Sequence, residues 1–244
     1  MWLRGSRICE RISADGSSHR TFNMGVKMIR KTLLTSASLA LVATGAYAGP
    51  NVSLSNDHRM VSVPAGSPGK SAPLQLGATS YSNFATKYSN GLYFCCYGYT
   101  VSGPTSFLGA AYGAATQWTQ AADADVTKLS SSVGYVSGDH TSTLTLYADS
   151  GSNTPGAKLG SGTGASPEFF GGCCGVLTVK LKKSVHLSAG QNYWIGITTA
   201  GANFNAAPFS TIDQVNLHNI AGTSDGGTTW SGGQSTLAAA VSAK

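Results

Sequence analysis

An all-β fold, an antiparallel two-sheet sandwich of jelly-roll type behind an N-terminal signal peptide, is what this sequence predicts, and three observations predict it. Several runs after residue 126 alternate apolar and polar residues with period two, which on a strand turns one face to a core and the other to water. Gly/Ser/Pro/Asn-rich connectors, such as residues 149–156 and 188–190, separate those runs. Charged residues make up only 11% of the chain, Thr, Val, Tyr and Gly are abundant, and no stretch sustains a helical period. Helical repeats and coiled coils are excluded on the same grounds.

Taken from the start, residues 1–27 are polar, aperiodic and Arg-containing, and read as a spurious or disordered extension, with Met28 or Met24 as the true start. Residues 28–48 have the form of a signal peptide. Met28-Ile29-Arg30-Lys31 is a basic start, Thr32 to Gly45 is small or apolar, and Ala46-Tyr47-Ala48 supplies the small-x-small site that a signal peptidase accepts. The apolar run is short of the ~20 residues that span a bilayer, so no retained transmembrane anchor is expected. This places the remainder in the periplasm or outside the cell.

The leader also accounts for the charge. The whole chain carries +6, but residues 1–48 hold seven Lys/Arg against two Asp/Glu, while residues 49–244 hold nine against eight. Lys180, Lys182 and Lys183 are the one cluster in the second part, alternating with apolar residues as a solvated strand face does. A nucleic-acid partner needs a basic stripe that the linear sequence does not contain.

Residues 49–77 hold four prolines with little alternation and read as a flexible lead-in, with one strand at Met60–Val63. Residues 78–233 form the expected sandwich domain and 234–244 a C-terminal tail. Within the domain, strands are expected at Leu92–Val101, Val126–Tyr135, Ser142–Ala148, Val176–Leu187 and Gln191–Thr198. Leu144 and Leu146 face inward on the third of these, Leu177, Val179 and Leu181 on the fourth, with a bend at Ser184. On the fifth, Tyr193, Ile195 and Ile197 take the core face and Trp194 the other.

The sequence series YSNF, YTVSGPTS, VGYVSGDHTSTLTLYADSGSNTPGAKLG, FFGGCCGVLTVKL, VHLSAGQNYWIGI and TTW, over about residues 78–233, resembles bacterial secreted domains of the "choice-of-anchor R" kind. Those carry a strand like LxLYxDSGGxPGxxLG, then FGxCC, then LxAGxxYW. The resemblance implies an extracellular or surface β-sandwich with no established activity. Such proteins often end in a sorting or anchoring signal; residues 237–244 carry neither a spanning helix nor a basic stop. The Cys95-Cys96 pair is a further departure.

Cys95, Cys96, Cys173 and Cys174 form two adjacent pairs. An oxidising compartment makes disulfides the expected state, and adjacent thiols on a strand point to opposite faces, which suits a zinc tetrahedron poorly. Four cysteines allow three pairings; cross-links between the two pairs are favoured over strained vicinal rings.

No catalytic constellation assembles. Gly222-Thr223-Ser224-Asp225-Gly226 matches a nucleophile elbow, but no helix can follow it. Gly160-Ser161-Gly162-Thr163-Gly164 lacks the helix of a phosphate cradle and reads as a loop. Asp149 and Asn153, in a glycine-containing turn, are candidate ligands for a structural calcium ion, against the alternative of an Asx-turn; no other cofactor is expected. Trp118, Trp194 and Trp230 are candidates for stacking on sugar rings. The expected function is an exported, non-catalytic binding or surface-interaction module for carbohydrate or polymer. The alternatives are a structural or adhesive component of the envelope or matrix and, less favoured, a secreted hydrolase.

Overall fold

The computed structural model describes residues 20–21, 52–63, 78–84, 93–172, 175–210, 220–232 and 236–244. In chain order the strands are β1 (Arg20–Thr21), β2 (Ser53–Leu54), β3 (Met60–Ser62), β4 (Thr79–Ser82), β5 (Tyr93–Ser102), β6 (Gly113–Thr119), β7 (Ala124–Ser132), β8 (Gly134–Ser137) and β9 (Thr141–Asp149). There follow β10 (Pro155–Ala165), β11 (Glu168–Phe169), β12 (Val176–Leu187), β13 (Asn192–Thr198), β14 (Phe204–Ser210), β15 (Ile220–Thr223), β16 (Ser231–Gly232) and β17 (Ala239–Ala243). The described residues are all-β, as expected. The signal-peptide segment 28–48 lies outside them, while β1, from the segment expected to be disordered, pairs with β2.

The sandwich has a six-stranded layer, ordered β10-β9-β13-β6-β15-β16. Its opposing layer is not one sheet but two: a seven-stranded sheet β1-β2-β3-β5-β14-β8-β11 and a four-stranded sheet β12-β7-β17-β4. Pairing is antiparallel throughout except between β8 and β11. The two sheets meet where the Ser132 amide donates to the Ala238 carbonyl at 3.0 Å and the Ser132 hydroxyl to the Pro208 carbonyl at 2.9 Å. The run 126–135, expected as one strand, is therefore divided: its first part lies in β7 and its last in β8, with buried Val133 between them. At Gly134 an added Cβ would sit 2.6 Å from the Phe170 Cα, so only glycine admits β11 and its neighbour this close.

The main core lies between the layers. Leu144 and Leu146 of β9 and Tyr193, Ile195 and Ile197 of β13 point into it from the six-stranded sheet, and Leu177, Val179 and Leu181 of β12 from the four-stranded one. All eight take the faces that alternation assigns them. On β12 the bend expected at Ser184 falls within a register shift between Lys180 and Val185.

Two expectations are corrected. Residues 160–164, read as a loop, lie within β10, an 11-residue strand paired with β9. Their glycines face β12: a Cβ would come to 3.4 Å from the Leu181 side chain at Gly160, 2.8 Å from Val179 Cβ at Gly162, and 2.8 Å from Leu177 Cδ1 at Gly164. The G-x-G-x-G pattern is a strand that lets the sandwich close at its edge. Residues 239–243, read as tail, form β17, an interior strand between β7 and β4 whose Val241 is fully buried. Alanines buried on both faces leave no alternation to read.

Candidate functional site

The site is built on the outer face of the six-stranded sheet, away from the main core. Trp194 of β13 points outward, as its parity requires, yet it is 0% exposed. Ala115 of β6 and Ala221 of β15 flank it, and Tyr147 of β9 and Trp230 cover it. Its indole N–H donates to Asp149 Oδ1 at 2.7 Å, and the same oxygen accepts from Gln117 Nε2 at 2.6 Å. Asp149 Oδ2 accepts from the Gly151 amide at 2.9 Å, an Asx-turn that closes the β9–β10 connection.

Two sequence-predicted residues thus meet, but in a structural partnership. A ring without an exposed face cannot stack on a ligand, so Trp194 is corrected from contact residue to floor. Asp149 commits both oxygens to Trp194, Gln117 and Gly151. Asn153 adopts a left-handed conformation, φ 55°, beyond the connection's Gly151. Among the described residues no group of three or more His, Cys, Asp or Glu side chains gathers here or elsewhere. Trp118 is not part of this face: it is 6% exposed in the main core, stacked on Tyr81 at 4.9 Å, with its Nε1 donating to Gln120 Oε1 at 3.0 Å.

Trp230 is the one of the three predicted tryptophans that keeps surface. Half-buried, it meets the half-buried Tyr147 ring edge to face, centroids 5.8 Å apart at 76°. Gly196 makes room beneath them, since a Cβ there would lie 3.0 Å from the Tyr147 ring and 3.4 Å from Trp230. Burial pushes the Tyr147 phenol above its ordinary pKa, so it remains a neutral donor and acceptor.

The loop that carries Trp230 is tied by Asp225. Its carboxylate accepts from the Thr229 hydroxyl at 2.6 Å, the Thr229 amide at 2.9 Å, the Thr223 hydroxyl at 2.7 Å and the Thr228 amide at 3.0 Å. Those donors, led by Thr229, bring its pKa down from 3.8 to about 2. A depressed carboxylate stabilises the fold above its unfolded pKa, so this tie is whole above pH 3.8 and is lost only as pH falls through about 2. The segment 222–226 is consequently the end of a strand and a turn, with no helix behind Ser224.

Beside this loop, Arg59 Nη1 donates to Ser231 Oγ at 3.1 Å. The half-buried guanidinium borders a cleft of about 60 Å³, lined also by Asp57, Tyr99, Tyr112, Gly222 and Gly232. Burial raises the Asp57 pKa, but the Ser55 hydroxyl, the Arg59 amide and the Arg59 charge together carry it below the ordinary value. The cleft has room for a few waters or one small polar group, against the few hundred Å³ that engulf a drug-sized ligand. Sequence reasoning missed Arg59 altogether: it sits in the segment read as flexible, and nothing in the linear order joins residue 59 to residue 231.

The cysteines are only partly visible. Cys96, on β5, is 7% exposed; the Cys95 side chain and Cys173 and Cys174 lie outside the described residues. No helix among the described residues is long and apolar enough to cross a membrane. No protein-family model, no curated protein and no solved structure matches this chain.

Proposed function

We propose that residues 49–244 are an exported, non-catalytic module that binds carbohydrate on the outer face of the six-stranded sheet. The observation that carries this reading is the half-exposed Trp230 ring, held edge to face with Tyr147 above the buried Trp194–Asp149 bond. Rigid aromatic rings present large amphipathic area at little entropic cost. Arg59 and the small cleft beside Ser231 supply polar contacts at the rim, and a surface of this shape suits an open polymer better than an enclosed small molecule. A glycan array probed with the wild-type protein and with Trp230→Ala tests it. Trp230→Ala should keep its thermal midpoint within a few degrees and weaken the retained glycans about tenfold, equivalent to about 1.4 kcal/mol. An empty array, or equal binding by both proteins, overturns the reading.

The disulfide framework belongs to the same proposal. The Tyr93 hydroxyl donates to the Gly175 carbonyl at 3.0 Å, so the stretch entering Cys95-Cys96 lies against the stretch leaving Cys173-Cys174. This proximity supports cross-links between the two pairs, and non-reducing peptide mapping should recover a peptide around residue 95 joined to one around residue 173. Recovery of those peptides unlinked would remove cross-pairing.

A further inference from the structure

The opposite outer face, that of the four-stranded sheet, carries charge that only the register exposes. Lys180 of the edge strand β12 lies directly across from Lys128 of β7. Both are exposed, as are Lys182 and Lys183. Directly opposed residues place their Cβ atoms about 5 Å apart, and Lys182, two residues on, shares the Lys180 face about 7 Å along the strand. Three ammonium groups from two strands therefore share one exposed patch, with a fourth at the bulge beside it.

Among the described residues no carboxylate forms an ion pair with them. Among the described residues the one ion pair is His186 with Asp125, at 3.2 Å. Asp123 accepts from the Ala189 amide at 2.7 Å at the far end of the strands. Lysines on an edge strand are ordinary guards against strand-to-strand aggregation, which accounts for Lys180, Lys182 and Lys183. That reason does not extend to Lys128. Its strand is interior, paired with β12 on one side and β17 on the other, and like charges directly opposite each other destabilise a sheet.

We infer that this face is a second binding site, for an acidic polysaccharide. The chemistry of the patch selects that occupant. Next to the lysines, the exposed Thr178 hydroxyl, hydrogen-bonded at 2.9 Å to the buried Ser130, offers a polar partner suited to sugar hydroxyls. The exposed large apolar residues Phe107, Leu159 and Phe169 all lie outside the four-stranded sheet, so the face has no anchor to insert into a lipid surface. Among its described residues it carries no exposed aromatic on which nucleic-acid bases would stack. This site is separate from the aromatic face and does not depend on it.

Affinity electrophoresis through gels containing polygalacturonate, with dextran as the neutral control, tests the proposal. The wild-type domain should be retarded by polygalacturonate and not by dextran, the more strongly the lower the ionic strength. The triple variant Lys128→Gln/Lys180→Gln/Lys182→Gln should bind at least about tenfold more weakly, with a thermal midpoint equal to or above the wild type as the opposed charges disappear. Lys158, an exposed lysine of β10 outside this sheet, is the control, and Lys158→Gln should be retarded as the wild type is. The proposal is overturned if polygalacturonate does not retard the wild type or if the triple variant is retarded equally. Tighter binding to phosphatidylserine vesicles or to a single-stranded oligonucleotide overturns it as well, by naming a different polyanion.

Discussion

Trp194→Ala should lower the unfolding free energy by about 3–5 kcal/mol, the range for truncating a large buried aromatic side chain. The indole is 0% exposed, and the flanking side chains offer little material for collapse: Ala115 and Ala221 have none to spare, and Gly196 lies on the same face. A second loss adds to the first, because Asp149 Oδ1 forfeits the indole donor and keeps only Gln117. Trp194→Phe separates the two contributions, since it retains most of the packing and removes only the hydrogen bond; it should cost about 1–3 kcal/mol. Denaturant titration reads both. A loss below 1 kcal/mol for the alanine variant would show that the outer face is not the packed minor core described above, and the floor beneath Trp230 would go with it.

Gly162→Val should be comparably damaging by the opposite mechanism. Already at Cβ, the new side chain would lie 2.8 Å from the Lys180 carbonyl oxygen and 2.8 Å from Val179 Cβ. The first of these is backbone and cannot swing aside, so β10 or β12 must move. Overpacking a well-fitted interface costs about 1–3 kcal/mol, and here the branched side chain is wedged where two layers close. Gly232→Ala is the matched control: an added Cβ there meets nothing within 4 Å, and the variant should melt with the wild type. Equal midpoints for Gly162→Val and Gly232→Ala would mean that the sheet edge is far looser than its spacing implies.

The sequence made some strands plain and hid others, for one physical reason. Alternation is visible only where a strand has one wet face and one dry face. β12 meets that condition and β9 nearly does, while β13, buried on both faces, is the exception, legible because Tyr193, Ile195 and Ile197 recur at every second position; the core residues from Leu144 to Ile197 are read correctly. β6 and β17 do not meet it: they are buried nearly throughout, and rich in alanine. β10 fails differently, since its inward positions are glycines that serve by having no side chain. The site was legible in part. Trp230 stands out by residue type, but its exposure depends on the loop tied by Asp225, and the burial of Trp194 depends on Tyr147 and Trp230 arriving from other segments. The Lys128–Lys180 juxtaposition is a matter of register between residues 52 positions apart and has no linear signature.

The interior place of β17 bears on how fast this chain can fold. Ala240 pairs with Ser82 on one side and Ser130 on the other, so the four-stranded sheet unites segments drawn from nearly the whole length of the domain. Closing loops of that size precedes any reward from the contacts they bring, and topologies dominated by such distant pairings fold in milliseconds to seconds. Until β17 arrives, β7 keeps one open edge with Leu129 beside it, and this is the interval in which the domain is most exposed to pairing with a neighbour instead of with itself.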